Sequence, residues 1–220
     1  MPPAPSDLDT ALAALARLIR ASPHNLLSPR GLRELESRHL PESLALARRL
    51  PEGPATMVDI GSGGGLPGLV IALSRPDLAV TLVEATGKKA RFLRDSARAL
   101  GVTVDVVAGR VEDSSHGLQG RFDLATARAV APLHQLVPWV MPVLRPGGLL
   151  YAVKGNRWAE ELAQARRAIA RSGAQVVATP LDDGHDVVDA SVVIIARRSA
   201  SGAGAAEAGP PASPVTEHAC

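Results

Sequence analysis

The segment Val58-Asp59-Ile60-Gly61-Ser62-Gly63-Gly64-Gly65-Leu66-Pro67-Gly68 decides the fold of this chain. It predicts a buried strand that ends in an acid, then a glycine loop, then the start of a helix. Glycines adopt backbone angles closed to other residues and carry no Cβ, so this loop lets bare backbone approach a ligand. The first turn of the helix adds unpaired N–H groups and the positive end of the helix dipole. The segment therefore predicts a nucleotide-like ligand at the end of a strand.

Two spacing patterns compete for these glycines. Gly63, Gly65 and Gly68 match the G-x-G-x-x-G pattern of dinucleotide-binding folds, but the strand runs into Gly61, two residues before that pattern begins. The other pattern, acid-x-Gly-x-Gly-x-Gly, is met without a shift by an acid and three glycines: Asp59, Gly61, Gly63 and Gly65. It resembles the first motif of methyltransferases of Rossmann-like fold that depend on S-adenosyl-L-methionine (SAM). We favour SAM over a nicotinamide cofactor. A third interpretation, in which the loop binds neither cofactor, is retained.

Length and composition indicate a globular protein with one α/β domain. The chain has 220 residues, of which 46% are hydrophobic and 2% aromatic, and its formal net charge is +2. No apolar run approaches the length of a membrane-spanning helix, and the first residues lack the basic and apolar regions of a signal peptide. The one cysteine, Cys220, excludes an intrachain disulfide. We expect a cytoplasmic monomer with no membrane contact.

Beyond residue 54, short apolar strands alternate with amphipathic helices. This alternation predicts an α/β, Rossmann-like methyltransferase fold: a mostly parallel seven-stranded sheet with helices on both faces. Strands are predicted at 56–60, 79–83, 102–107, 122–127, 149–154, 175–179 and 191–197, the last two as an antiparallel pair that closes the sheet edge. Helices are predicted at 66–74, 87–100, 132–143 and 157–171.

The chain divides into three parts. Residues 1–54 are predicted to form a small N-terminal helical extension, and residues 55–198 the SAM-binding methyltransferase domain. Residues 199–220 are rich in Ala, Gly, Pro and Ser without periodicity, which predicts a disordered tail.

Cap residues define the helices of the extension. Ser6 is predicted to cap a helix over 7–20. Ser28, followed by a proline, is predicted to start helical turns over 29–49, with a break at Pro41.

In open α/β sheets, ligands lie beyond the carboxyl ends of the strands. The glycine loop ends the first strand and supplies the expected contacts Gly61, Ser62, Gly63 and Gly65. Glu84 ends the second strand, where its carboxylate either accepts hydrogen bonds from both ribose hydroxyls or caps the helix that starts near residue 87.

Arg128 ends the fourth strand. It is a candidate partner for the methionine carboxylate or for RNA phosphate, and a salt bridge to Asp59 or Glu84 is the structural alternative.

Basic residues concentrate after the second strand. Between residues 86 and 110, six Lys or Arg stand against two Asp, a local charge of +4. This segment is either a solvated helix face or a patch that follows phosphates, with Lys88 and Lys89 as candidate RNA contacts. Lys154 is a further candidate, or a solvated strand end. We expect no metal site, because the histidines show no ligand spacing and the acids near residue 185 predict a solvated turn.

The run 59–68 resembles the bacterial small-subunit ribosomal RNA guanine-N7 methyltransferases, the RsmG (GidB) family, since Leu-Pro-Gly after a glycine loop is unusual among methyltransferases. Further matches follow in order at Glu84, Gly87-Lys88-Lys89-Ala90-Arg91-Phe92-Leu93, Arg110-Val111-Glu112, Ala127-Arg128-Ala129 and Lys154-Gly155. Upstream, two runs resemble the family's N-terminal signatures: Asn25-Leu26-Leu27 and Arg38-His39-Leu40-Pro41-Glu42-Ser43-Leu44. The resemblance covers roughly residues 24–198.

The resemblance implies SAM as the cofactor and one guanine of 16S rRNA, in the small ribosomal subunit or its precursor, as the substrate. It implies SAM contacts at Gly61, Leu66, Val111, Glu112 and Arg128, with Glu84 as the ribose acid. The chain departs from the family at Glu42, where Asp is usual, and at Pro41, which is atypical. These departures leave the SAM site unchanged and affect how the extension would hold RNA.

The residues also narrow the chemistry. Methylation of carbon 5 of a pyrimidine needs a cysteine nucleophile, and Cys220 lies in the tail. Methylation of an exocyclic amine commonly uses an (Asp/Asn)-Pro-Pro-aromatic motif, which is absent after the fourth strand. Guanine N7 carries a lone pair and no proton, so its methylation needs orientation and no general base. We therefore assign no catalytic residue.

Three other functions stay open: a SAM-dependent methyltransferase for a small molecule, a nicotinamide-binding oxidoreductase, and a catalytically silent RNA-binding module.

Overall fold

One seven-stranded sheet forms the centre of the structure, a computed structural model that describes residues 5–178 and 191–199. Its strands within these residues are β1 (Ala55–Ile60), β2 (Leu78–Glu84), β3 (Asp105–Ala108), β4 (Phe122–Arg128), β5 (Leu144–Lys154), β6 (Ala174–Ala178) and β7 (Ser191–Arg197). The order across the sheet is β3-β2-β1-β4-β5-β7-β6. Strands β1 to β5 pair in parallel, and β7 pairs antiparallel with both β5 and β6. The predicted α/β architecture and antiparallel edge are confirmed.

Helices connect and cover the strands. They are α1 (Pro5–Ala21), α2 (Pro29–Arg33), α3 (Leu40–Arg49), α4 (Gly68–Ser74), α5 (Gly87–Leu100), α6 (Leu133–Val140) and α7 (Trp158–Arg171), with a π-helical turn at Leu35–His39 and a 3₁₀ turn at Ser114–His116. Helix α4 begins two residues later than expected, because Leu66 and Pro67 still belong to the turn. No helix in the described ranges is long and apolar enough to cross a membrane.

The extension differs from expectation at one predicted cap, Ser6, and at one predicted break, Pro41. Helix α1 already includes Ser6, so this serine does not precede the helix. The chain does not break at Pro41, which lies in the first turn of α3, where its missing N–H costs nothing. The irregular turn lies earlier instead, in the π-helical residues Leu35–His39 between α2 and α3. The predicted cap at Ser28 is confirmed, since its Oγ accepts a hydrogen bond from Gly31 N at 3.1 Å.

Alternation along β1 supplies a hydrophobic core to each face of the sheet. Met57 packs into one core, and Val58 and Ile60 pack into the other. The first core also contains Leu15 of α1 and Leu46 of α3. The extension therefore shares its core with the sheet.

Arg75, just after α4, ties the end of the extension to this unit. Its guanidinium donates hydrogen bonds to the carbonyl oxygens of Ala47 at 3.0 Å, Leu50 at 3.3 Å and Pro51 at 2.7 Å. Ala47 O belongs to the last turn of α3, and the carbonyls of Leu50 and Pro51 follow the helix, so none of the three has a partner within the helix. Asp77 pairs with the same guanidinium at 2.7 Å and fixes its orientation.

Asp59 joins three elements from a fully buried position on β1. Its Oδ1 accepts a hydrogen bond from Thr126 Oγ1 of β4 at 2.9 Å, and its Oδ2 accepts one from Gly68 N at the start of α4 at 3.2 Å. A Cβ at Gly68 would lie 2.6 Å from Asp59 Oδ2, so only glycine allows this approach. Burial raises the pKa of Asp59 to about 6, although these hydrogen bonds and the charge of Arg128 lower it.

Several sequence predictions concern residues outside the described ranges. They are the end of the sixth strand at residue 179, the acidic turn with Asp182, Asp183, Asp186 and Asp189, and all of the predicted disordered tail except Ser199.

The raised pKa of Asp59 predicts a pH dependence of stability. The folded protein binds this proton more tightly than the unfolded chain, so the stabilisation is complete below about pH 4 and is lost as the pH rises through about 6. We expect the free energy of unfolding of the wild type to fall by roughly 3 kcal/mol relative to Asp59→Asn across this interval. Urea denaturation at a series of pH values measures it.

Asp9→Asn, which removes an exposed carboxylate of α1, controls for the loss of one charge. A difference between the wild type and Asp59→Asn that does not change with pH would contradict the raised pKa.

Candidate cofactor site

A cavity of about 740 Å³ opens at the carboxyl ends of β1, β2, β4 and β5. This volume is typical of a site for a cofactor-sized ligand. Its walls come from the glycine loop, the ends of these strands and the N-terminal extension. The sequence-predicted residues that line it are Gly61, Ser62, Gly63, Leu66, Glu84, Lys89, Arg128 and Lys154.

The glycine loop turns sharply at the end of β1. Gly61 and Gly63 have φ angles of 67° and 52°, in the left-handed region that favours glycine. Val83 O accepts hydrogen bonds from the backbone N–H of Gly61 at 2.8 Å and of Ser62 at 3.1 Å, which holds the loop against β2. A Cβ at Gly61 would lie 2.7 Å from Val130 Cγ2, so this glycine also makes room for the loop after β4.

Glu84, the last residue of β2, supports the glycine loop directly. Its Oε2 accepts a hydrogen bond from Gly63 N at 2.9 Å, and its Oε1 accepts one from Thr86 N at 2.8 Å. The expected role as a cap of α5 holds only in part, because Thr86 precedes the helix and no N–H of the helix itself is bound. Each carboxylate oxygen keeps a lone pair, so acceptance from ribose hydroxyls stays a prediction.

Arg128, the last residue of β4, meets the extension. Its NH1 group lies 3.0 Å from His39 Nδ1 and 3.4 Å from Glu42 Oε2. A guanidinium only donates hydrogen bonds, so His39 Nδ1 accepts and the ring proton lies on Nε2. Arg128 forms no salt bridge with Asp59 or Glu84 within the described residues, so that alternative is wrong.

Burial acts against the charged forms of both Arg128 and Glu42. Burial lowers the pKa of Arg128, against the raising effect of Glu42 and Asp59. Burial acts to raise the pKa of Glu42, but the hydrogen bond from Arg38 and the charges of Arg38 and Arg128 hold it below its usual value. Glu42 is therefore a carboxylate at neutral pH.

Lys154 closes the other end of the cavity. Its Nζ donates to Glu161 Oε1 at 2.6 Å and to Ala131 O at 2.7 Å, and Glu161 Oε1 also accepts from Leu133 N at 2.6 Å. With its side chain only 9% exposed, Lys154 is not a solvated strand end, and that alternative is wrong. The pair holds the loop between β4 and α6, in which Ala129 has a φ of 55°.

Four sequence-predicted site residues do not line the cavity: Gly65, Val111, Glu112 and Lys88. Gly65 serves the turn itself, since its φ is 86° and a Cβ there would lie 2.8 Å from Leu69 Cγ. Val111 is buried in the second core. SAM contacts at Gly65, Val111 and Glu112 and an RNA contact at Lys88 stay predictions.

The extension contributes a wall that sequence reasoning did not assign to the site. Its cavity-lining residues are Leu26, Leu27, Ser28, Gly31, Arg38, His39 and Glu42. Two motifs, 25–27 and 38–44, include most of them, but we connected those motifs with RNA. Nothing in local spacing relates residue 42 to residue 128; only the tertiary contact between their side chains does. Within the described ranges, no cluster of His, Cys, Asp and Glu has the arrangement of a metal site.

Comparison with known proteins agrees with this geometry. Residues 11–186 match the family described as rRNA small subunit methyltransferase G (GidB). A ribosomal RNA small subunit methyltransferase G of Sorangium cellulosum is 48% identical over 186 residues, which cover 79% of this chain and 78% of the relative. One of the same name from Halorhodospira halophila is 45% identical over 168 residues, covering 76% of this chain and 77% of the relative.

A solved structure supports the fold. The crystal structure of M. jannaschii TYW2 in complex with AdoMet superimposes with a TM-score of 0.55 at 13% identity, covering 72% of this chain and 74% of the other. At that identity the likeness concerns the fold alone, and it confirms the predicted methyltransferase fold class.

Gly63 offers a direct test of the cavity. A Cβ there meets only Gly61 O, at 3.7 Å, so the side chain of Gly63→Val would extend into open space at the cavity wall. We expect SAM affinity, measured by calorimetry, to fall at least about 100-fold, and stability to fall by about 1–2 kcal/mol because of the positive φ.

The matched control is Gly120→Val, since Gly120 has a φ of 62° and open space around its Cβ but does not line the cavity. It should show the stability loss and bind SAM normally. Normal SAM affinity in folded Gly63→Val would contradict the assignment of the loop.

Proposed function

Since the chain belongs to the rRNA small subunit methyltransferase G family, we propose that it transfers the methyl group of SAM to N7 of one guanine in 16S rRNA. Membership makes the protein a SAM-dependent rRNA methyltransferase. The position of the methyl group and the identity of the nucleotide are the parts of the proposal that require experiment.

One observation carries the proposal: in a chain of this family, the glycine loop and Glu84 meet at the strand ends and face one cavity. Gly61 and Gly63 present bare backbone to the cavity, and Glu84 presents a carboxylate suited to two ribose hydroxyls. These residues fit SAM, whose sulfonium supplies an activated methyl group.

Two of the three glutamates that line the cavity, and its histidine, already have close partners, which supports a reaction without a general base. Glu161 is engaged by Lys154, and His39 Nδ1 by Arg128. Glu84 holds two backbone N–H groups. Guanine N7 has a lone pair and no proton to lose, so a site that positions the base beside the donor methyl is sufficient. A substrate hydroxyl would instead require a proton acceptor.

We propose that the exposed cations of α5 contact the RNA backbone. Lys88 and Arg91 are exposed, and Lys89 lies at the cavity wall between them. RNA that follows this helix would bring one base to the cavity. We also propose that the protein is a monomer, acts in the cytoplasm and needs no metal.

The proposal is tested by incubating the protein with labelled SAM and small ribosomal subunits that lack the modification. We expect one labelled guanine in 16S rRNA, cleavable by the borohydride and aniline chemistry specific for N7-methylguanine. Naked 16S rRNA in a parallel reaction distinguishes free RNA from the assembled particle as the substrate. Label at another atom would overturn the N7 assignment, and turnover of a metabolite without RNA would favour a small-molecule methyltransferase.

If the exposed cations Lys88 and Arg91 of α5 contact RNA phosphates, they contribute to RNA binding in a way that depends on salt. Lys88→Gln/Arg91→Gln removes two exposed charges and leaves the cavity unchanged, so SAM affinity should be retained. We expect weaker binding to small subunits and a slope of log affinity against log salt smaller by about 1 to 2.

Arg167→Gln/Arg171→Gln is the matched control, because it removes two exposed charges from α7, away from the cavity. If both double variants weaken RNA binding equally, α5 is no specific RNA surface.

A further inference from the structure

Apart from Lys89, the charged side chains that line the cavity form three groups, and two of these groups already have close hydrogen-bond partners. Lys154 and Glu161 pair at 2.6 Å and take up Ala131 O and Leu133 N. Glu84 accepts a backbone N–H at each oxygen. The third group joins Glu42 of α3 and Arg128 of β4 through one contact of 3.4 Å. This loose pair therefore keeps capacity for a charged ligand.

Arg128 has unused donors in a desolvated place. Its side chain is 14% exposed, and both of its contacts, to His39 and Glu42, are made by NH1. Within residues 5–178 and 191–199, no hydrogen bond forms to its Nε or NH2. A guanidinium binds a carboxylate best through two parallel N–H donors, so the free edge of Arg128 suits a carboxylate ligand.

Glu42 offers a hydrogen-bond acceptor beside the free donors of Arg128. Its side chain is 5% exposed, and its Oε1 is held by Arg38 Nε at 2.7 Å. Its Oε2 makes only two contacts, both of 3.4 Å, with Arg128 and with His39 Nδ1. Since His39 Nδ1 already accepts from Arg128, it offers no proton to this oxygen. Oε2 is therefore a buried, ionised acceptor whose lone pairs suit a cationic donor.

A ligand that matches both Arg128 and Glu42 carries a carboxylate and an ammonium group close together, as on the α-carbon of an amino acid. An RNA phosphate satisfies Arg128 but is repelled by Glu42, which makes it the poorer match. An α-amino acid head satisfies both. The extension is also placed for it: Leu26 Cβ lies 3.4 Å from the Cβ position of Gly64, so this wall covers the glycine loop.

We propose that Glu42 binds the α-ammonium group of SAM while Arg128 binds its α-carboxylate, so that the N-terminal extension completes the donor site. This inference rests on the proposed function, because it takes SAM as the ligand. His39 and Arg38 then act as positioning residues that hold Arg128 and Glu42 in place. The extension thereby serves donor binding as well as any contact with RNA.

Two ligands that differ only in the amino acid head test the proposal: S-adenosylhomocysteine and 5′-methylthioadenosine. Both contain a neutral thioether, so the sulfonium charge does not enter the comparison. We expect Glu42→Gln to bind S-adenosylhomocysteine at least about tenfold more weakly, as for loss of a charged hydrogen bond, and methylthioadenosine within about twofold of the wild type. Calorimetry on the full chain measures both.

Rescue and control variants make the test specific. Glu42→Asp keeps the carboxylate and should recover most of the lost affinity. Glu36→Gln, which removes an exposed carboxylate of the same extension, should change neither affinity. An equal loss for both ligands in Glu42→Gln would mean a structural role and overturn the proposal, as would no loss for either.

The outcome also separates this proposal from the proposed function. If the wild type binds S-adenosylhomocysteine and methylates small subunits while Glu42→Gln binds it unchanged, only the role of Glu42 fails. If the wild type binds neither ligand, the proposed function fails with it.

Discussion

The buried carboxylate of Asp59 is the constraint on which the rest of this structure depends. One side chain accepts hydrogen bonds from β4, through Thr126, and from the start of α4, through Gly68 N. A charge in such a place is costly, as its raised pKa reflects, and it is tolerated because both oxygens are satisfied. The direction in which the chain leaves β1, and so the shape of the glycine loop, follows from these bonds.

The site is built outward from that turn. Gly61 and Ser62 are held to β2 by Val83 O, and Gly63 is held by Glu84. The same carboxylate that is suited to a ribose thus also supports the loop beside it, so loop and acid form one unit. Across the cavity, Lys154 and Glu161 fix the chain after β4. Hydrogen bonds thus hold both sides of the cavity, which suits a reaction that depends on orientation.

Most elements were predictable because their signals are local. Alternation of apolar residues located the strands, and the glycine spacing located the loop and distinguished SAM from a dinucleotide. The errors have local causes as well. Proline at residue 41 was taken as a break, although the first turn of a helix accepts it. The alternative that Lys154 is a strand end in solvent was wrong, because its partner Glu161 lies on the following helix α7 and is brought to it only by the fold. The RNA contact at Lys154 stays a prediction.

The sequence by itself determined the fold class, the glycine loop, the strand-end acid and the family, since each rests on residues close together in the chain. Only the tertiary structure decided that His39 and Glu42 face Arg128, nearly ninety positions away along the chain. It also decided which predicted contacts line the cavity and which, like Val111, are buried in the core. The physical reason is that a charged side chain takes its partner from whatever packing brings within hydrogen-bond distance, and no spacing rule records that partner.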